Sequence, residues 1–295
     1  MNRNFEQLIN WGMLLTLSLI WGSSFILMKY GLRSFSYGQV AGFRMFIAFV
    51  VLLPFAIRNL KLINKSNILA ILIVGFIGNC IPAFLFTLAE TRIDSSLAGM
   101  LNAMTPFFTL IIGAIVYHIR VAGRAAVGVG IGLAGSVMLI LADSNGFSGN
   151  VNAWALFVVL ATVMYGININ HVKEKLSNLN GLQISSLAFF VVGPAVTIYL
   201  LASGLQESFA QPNAWSDFIY VFLLGLLGSA VAVVMVNVLI QRTTAIFTSS
   251  VTYLMPVVAI GWGILDGEQL SIVHYVGMGF VLFGVYLVNK KIRKR

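Results

Sequence analysis

The sequence predicts an all-α integral membrane protein: ten transmembrane helices arranged as two inverted five-helix repeats around a central cavity. Three observations lead there. Of 295 residues, 59% are hydrophobic and only 9% are charged, against roughly 25% charged in a soluble domain. Ten apolar stretches of about 20 residues, the length that crosses a bilayer, fill almost the whole chain. The distribution of charge between those stretches and the partial likeness of the two halves set their direction and grouping.

The expected spans cover 9–31, 38–57, 67–89, 95–117, 125–142, 152–171, 182–203, 215–237, 246–265 and 272–289. The first is expected to be a membrane helix rather than a cleaved leader, because it is long and has no small-residue cleavage site. The polar connections near Arg58–Asn67, Asp143–Asn150 and Gln206–Asp217 are too short for a soluble domain.

Charge sorts these spans. With a cytoplasmic N-terminus, every Lys and Arg falls on the cytoplasmic side except Lys29, Arg33 and Arg92 outside and Arg44 within a helix. Of the acids, only Glu6 and Glu174 fall inside. The positive-inside rule thus places both termini in the cytoplasm, which needs an even number of crossings. The basic run Lys290–Arg295 reads as an anchor on anionic lipid. The formal charge of +9 is therefore a topology signal, and no nucleic-acid partner is expected. The partners expected are the lipid bilayer and a small-molecule substrate.

The halves align weakly but in order. Leu17–Gly22 matches Ala161–Gly166, Lys29 matches Lys173, Arg92 matches Arg242, and Pro106 matches Pro256. Gly128 and Gly135 match Gly277 and Gly284. The division expected is 1–146 and 147–295. An odd number of spans per half inverts the second, and matching loops do carry opposite charge: Arg58, Lys61 and Lys65 against Glu207 and Asp217, and Arg120 and Arg124 against Asp266 and Glu268. Inverted repeats typify secondary transporters that bind substrate near the midplane. A lipid-translocating or purely structural membrane scaffold is the alternative expectation.

Several residues carry a further resemblance. They are Trp21-Gly22-Ser23-Ser24, Phe43-Arg44 with Ala48, Ala89 to Leu101 leading to Pro106-Phe107-Phe108, Arg242 to Tyr253 with Pro256, and Gly267-Glu268. Taken in order, they make the chain resemble the ten-helix EamA-type permeases of the drug/metabolite transporter superfamily over nearly its full length. Tyr117-His118 departs from the Gly-Glu pattern in the first half. The resemblance implies export or exchange of small metabolites in a bacterial cytoplasmic (inner) membrane. It also implies a cavity lined by helices 1–4 and 6–9, supported by helices 5 and 10.

Candidate substrate-binding residues are Trp21, Ser23, Ser24, Arg44, Asn79, Asn102, Tyr165, Asn168, Asn237 and Tyr253. Arg44 is the most informative, since an intramembrane Arg needs an anion, a carbonyl or a water-filled cavity. Outward snorkelling is its structural alternative. Trp and Tyr offer flat apolar faces with one donor. Pro82, Pro106 and Pro256 are expected to kink and gate helices, each freeing a backbone carbonyl. Glu90 and His171 are the candidates for proton coupling. Neither an enzyme nor a cofactor is expected: no P-loop appears, the histidines lack metal-ligand spacing, and Cys80 stands alone. The paired glycines are expected either to pack the halves or to form a homodimer face.

Overall fold

The computed structural model describes residues 3–119, 123–143, 146–147 and 152–289. Arg120 and the basic run Lys290–Arg295 lie outside the described residues. The helices are α1 Arg3–Gly31, α2 Tyr37–Asn59, α3 Ile68–Ala89 and α4 Ser95–Val116. They continue with α5 Gly123–Ile140, α6 Ala155–Lys175, α7 Gly181–Leu201, α8 Ala214–Arg242, α9 Ala245–Leu265 and α10 Ile272–Asn289. Among the described residues, nine helices are long and apolar enough to cross a membrane, and Ile272–Val288 is a shorter apolar helix. Among the described residues the strand pairing is a two-residue antiparallel ladder, Ala142–Asp143 with Gly146–Phe147, between α5 and α6.

Among the helices that run further than expected are α6 and α8. α6 continues to Lys175 and α8 to Arg242, through polar residues that apolar length alone reads as helix ends. Those residues find partners inside the fold. Asn170 donates to the carbonyls of Thr109 and Gly166, and Gln241 donates to that of Leu176. A polar side chain so satisfied costs little to carry within a helix bundle.

Local sequence explains the helix starts. α2 opens on a capping box in which Ser36 and Gln39 exchange bonds, and α7 opens on the same device with Asn180 and Gln183. Each satisfies two donors that a helix start leaves free. α3 and α8 each contain a π-helical segment, Phe76–Cys80 and Leu224–Val231. α4 and α9 each break in the middle. α4 is interrupted between Asn102 and Thr105, just before Pro106, and α9 narrows to a 3₁₀ turn at Ser250–Tyr253, just before Pro256. Pro82 follows the π segment of α3. A proline near the start of a helical segment removes a donor that would be unpaired there anyway.

Glycines set the closest approaches. A Cβ on Gly128 would stand 2.5 Å from the Gly284 carbonyl oxygen, and one on Gly135 would stand 2.6 Å from that of Gly277. α5 and α10 thus lie backbone to backbone within one chain, and these four glycines face each other rather than an open surface. Gly22 packs on Met255 and Val258, and Gly166 on Phe108 and Thr109. The outer circumference remains apolar: Leu8, Leu69, Ile115, Ile198, Leu201 and Leu265 are all exposed, as a lipid-facing surface requires.

Candidate functional site

α1, α2, α3, α4, α6, α8 and α9 surround a central cavity of about 90 Å³. α7 contributes nothing to its lining, which corrects the expected ring of eight helices. α7 instead packs behind α2, where Gly193 meets Phe49.

Eight of the ten expected substrate contacts, Trp21, Ser24, Arg44, Asn79, Asn102, Tyr165, Asn168 and Asn237, line the cavity. Two do not. Ser23 points away from it and accepts a hydrogen bond from the Trp262 indole at 2.9 Å. It sits one residue round the helix from Ser24, and one residue is a turn of about 100°. Tyr253 packs against the core while its neighbour Thr252 takes the lining position, because the 3₁₀ turn rotates the chain there. Pro82, Pro106 and Pro256 lie at the helix irregularities described above, outside the lining.

The lining has a pattern. In the register that sets Trp21 on Tyr165, Ser24 falls on Asn168 and Phe25 on Ile169. In the register that sets Arg92 on Arg242, Gly78 and Asn79 fall on Gly228 and Ser229, Phe86 on Val236, Asn102 on Thr252, and Thr105 on Met255. Both members of every one of these pairs line the cavity. Gly78, Asn79, Gly228 and Ser229 all lie in the π segments. A π turn displaces the helix ladder and so brings backbone and short side chains to the wall. The Trp21 indole donates to the Gly228 carbonyl at 2.8 Å, and Asn79 donates to that of Val74 at 2.7 Å.

The wall is apolar with a few polar groups that lack full partners. Phe86 stacks on Tyr165 and tilts against Phe25, with centroids 5.9 Å apart in each pair. Arg44 is 8% exposed. Its guanidinium donates to Ser229 Oγ at 3.4 Å and to Met28 Sδ at 3.3 Å, both weak contacts for a group with five N–H donors. No described carboxylate forms an ion pair with it. The side-chain carbonyl oxygens of Asn102, Asn168 and Asn237 are buried without a hydrogen-bond partner among the described residues. One cation and three free acceptors therefore face the same space.

The two ends of the bundle are built differently. At the Lys29 end, Lys29 Nζ bonds Asp266 at 2.6 Å and Glu268 at 2.7 Å. Glu268 also accepts from Ser95 N at 3.1 Å, Ser95 Oγ at 2.7 Å and Ser96 N at 3.1 Å, at the start of α4. Tyr30 donates to Asp266 at 2.7 Å, and Arg33 stacks over the Tyr30 ring. α1, α4 and α9 are thereby tied together. Burial works to raise the Glu268 carboxyl, but bonds from Lys29, Ser96 and Ser95 hold it below the usual carboxylate range. Gly267 makes the geometry possible: at φ 81° it takes the left-handed turn that brings Glu268 N back to the Gly263 carbonyl.

At the Lys173 end, α4 reverses at His118, with φ 54°. The residue after the left-handed position is Ile119, not an acid. The structural counterpart of Glu268 is thus Ile119, one place beyond the sequence match to His118. Lys173 turns to the carbonyls of Ile240 at 2.9 Å and Thr243 at 2.6 Å, capping the end of α8. His171 meets the Tyr117 hydroxyl at 3.4 Å, and its Nε2 is buried without a partner among the described residues. It lies outside the cavity lining, as does Glu90, at the other end of the bundle. Arg92 does not pair with Glu90; it lies over the Trp154 ring at 5.7 Å.

Sequence reasoning missed the Lys29–Asp266–Glu268 cluster. Its signal was present, since charge sorting put all three residues on one side of the membrane. The aromatic and Met lining from Phe25, Met28 and Phe86 carried no signal that separates cavity from core.

A multi-pass helical membrane protein with an internal, partly polar cavity is the class these features define. The chain belongs to the EamA-like transporter family, which it matches over residues 10–141 and again over 152–290. It is 28% identical, over 97% of its length and 92% of the relative's, to an uncharacterized inner membrane transporter, YedA, of Escherichia coli. It is 24% identical to a probable terminal-alkyne amino-acid exporter of Streptantibioticus cattleyicolor, over 95% of this chain and 93% of that one. It is 22% identical to a probable amino-acid metabolite efflux pump of Escherichia coli, over 91% of each. A solved crystal structure shares the fold with a TM-score of 0.68 at 15% identity, covering 98% of this chain and 97% of that one.

Proposed function

We propose that the protein exports small amphipathic metabolites, amino acids or close derivatives among them, by alternating access between two inverted five-helix halves. The observation that carries this is Arg44, a buried cation on the cavity wall with only weak partners. A substrate carboxylate supplies the bidentate partner a guanidinium favours. The free carbonyl oxygens of Asn102, Asn168 and Asn237 suit an amino group, and Trp21, Phe25, Phe86 and Tyr165 suit an apolar or aromatic body. The relatives described as amino-acid exporters support the same substrate class.

Paired lining positions support the inverted repeat, which is the arrangement of many secondary transporters. Other lining positions lack such a partner, among them Met28, Arg44, Met45, Val233 and Val251. Asn237, Ile240, Thr248 and Ser249 line it near the Lys173 end, whereas their counterparts Thr87, Glu90, Ala98 and Gly99 near the Lys29 end do not. The bundle is thus closed at the Lys29 end and reaches toward the Lys173 end. With both termini cytoplasmic in a bacterial inner membrane, as the charge sorting favours, this is an inward-directed state and the Lys29 cluster is its outer gate.

Counterflow in proteoliposomes tests the reading. Vesicles preloaded with unlabelled amino acids, nucleosides or drug-like amines are assayed for saturable uptake of the labelled compound. A saturating signal for an amino acid that Arg44→Gln abolishes, at normal expression, is expected. Absence of counterflow across the panel overturns the substrate assignment, and linear non-saturating flux overturns the carrier mechanism.

A further inference from the structure

Glu90 stands one residue beyond α3 at the Lys29 end and is 8% exposed. Neither of its carboxylate oxygens has a hydrogen-bond partner among the described residues. The charges that act on it come from three elements: Arg44 on α2, Lys29 on α1, and Glu268 in the turn after α9. Lys29 and Glu268 are bonded to each other, and Arg44 is turned to Ser229 and Met28. The other titratable or charged groups of this end are occupied elsewhere or lie toward solvent. Asp266 holds Lys29 and Tyr30, His274 bonds Ser271, Arg92 covers Trp154, and Asp94 is exposed. A carboxylate deprived of water and of donors is strongly disfavoured relative to the neutral acid. Burial accordingly pushes the Glu90 carboxyl well above the usual range, against the opposing pull of Arg44 and Lys29.

The position of Glu90 in the fold gives this a consequence. In the register that pairs Arg92 with Arg242, Glu90 corresponds to Ile240. Ile240 lines the cavity in the present state, as do its neighbours Asn237, Thr248 and Ser249. If the two halves exchange conformations, the Lys29 end opens and Glu90 takes the place on the cavity wall that Ile240 occupies now. There its carboxyl meets water and ionises at an ordinary carboxylate pKa.

We propose that Glu90 is a proton-binding site whose occupancy is tied to the state of the outer gate: closing the Lys29 end binds one proton, and opening it releases that proton to the outer face. The step is a simple acid dissociation, with the carboxyl proton passing to water and no other bond changed. Ile240 cannot titrate, so this proton site has no counterpart at the matching position of the other gate. This rests on the alternating-access reading above.

Spin labels on cysteines introduced at the exposed positions Thr91 and Gln269, in a Cys80→Ala background, report the width of the Lys29 end in nanodiscs without substrate. Between pH 5 and 9 the unmodified gate is expected to shift from a short distance toward a long one. The ratio changes by at most about tenfold per pH unit, the limit for one linked proton. Glu90→Gln should stay at the short distance throughout, while Glu90→Asp restores the pH dependence and shows that the fold tolerates change at the site. Asp94→Asn and His274→Gln should leave the dependence intact. Two distances whose ratio ignores pH, or a pH dependence that survives in Glu90→Gln, overturn the proton site alone. A single distance under every condition, including Glu268→Gln, overturns the alternating-access reading together with it.

Discussion

Glu268→Gln is the sharpest perturbation of the closed Lys29 end. The carboxylate side chain is 2% exposed and accepts from Lys29 Nζ, Ser95 N, Ser95 Oγ and Ser96 N, all between 2.7 and 3.1 Å. Glutamine keeps the shape and one acceptor oxygen but removes the charge. Lys29 retains Asp266 at 2.6 Å, so no cation is left unpaired. A hydrogen bond to a charged group contributes about 1.5–3 kcal/mol net against about 1 kcal/mol for a neutral one. Several such bonds weaken together without adding fully, so closure should lose about 2–3 kcal/mol. That is roughly a 30- to 150-fold change in the closed-to-open ratio. The distance between labels at Thr91 and Gln269 measures it directly. A variant that keeps the short distance with the same population as the parent would show that the cluster does not hold the gate. The same carboxylate sets an acid limit. Held below the usual range, it contributes closure above its unperturbed pKa and loses that contribution as pH falls through the depressed value. Strong acid should therefore open a gate that mild acid, acting through Glu90, keeps shut.

Other substitutions separate site from scaffold. Arg44→Gln should weaken a carboxylate-bearing substrate by about 1.5–3 kcal/mol, roughly 10- to 150-fold in Kd, and an uncharged analogue far less; equal losses for both would deny the carboxylate contact. Trp21→Ala and Tyr165→Ala should each raise the Kd of aromatic more than of small aliphatic substrates in binding titrations, since each supplies a ring face to the cavity. Gly135→Val places methyls against the Gly277 backbone and Phe280. Overpacking of this kind should cost about 1–3 kcal/mol, seen as a lower melting temperature in detergent. Ser23→Ala should leave binding unchanged, since Ser23 faces Trp262 and not the cavity.

Apolar length alone located the nine helices that, among the described residues, are long enough to cross a membrane, because lipid leaves the chain no other way to satisfy its backbone. The ends of α6 and α8 were misjudged, because Asn170 and Gln241 look like loop residues until their acceptors on Thr109 and Leu176 are in view. Trp21, Ser24, Arg44, Asn79, Asn102, Asn168 and Asn237 were legible as cavity-lining residues because a polar group in an apolar helix needs a reason to be there. Ser23 and Tyr253 were not separable from their neighbours, since one residue of helical rotation or a 3₁₀ turn decides which side chain faces inward. The π segments at Phe76–Cys80 and Leu224–Val231 leave no mark in composition, yet they place four lining residues.

What the sequence determined by itself was chemistry per unit length: which segments suit lipid and how charge is distributed between them. The tertiary structure decided which of those residues meet. Lys29, Ser95 and Glu268 are far apart along the chain and close into one cluster only because α1, α4 and α9 converge. Apolar patterning fixes the burial of each helix but says nothing of its rotation or its neighbours, and those set both the cavity and the gate.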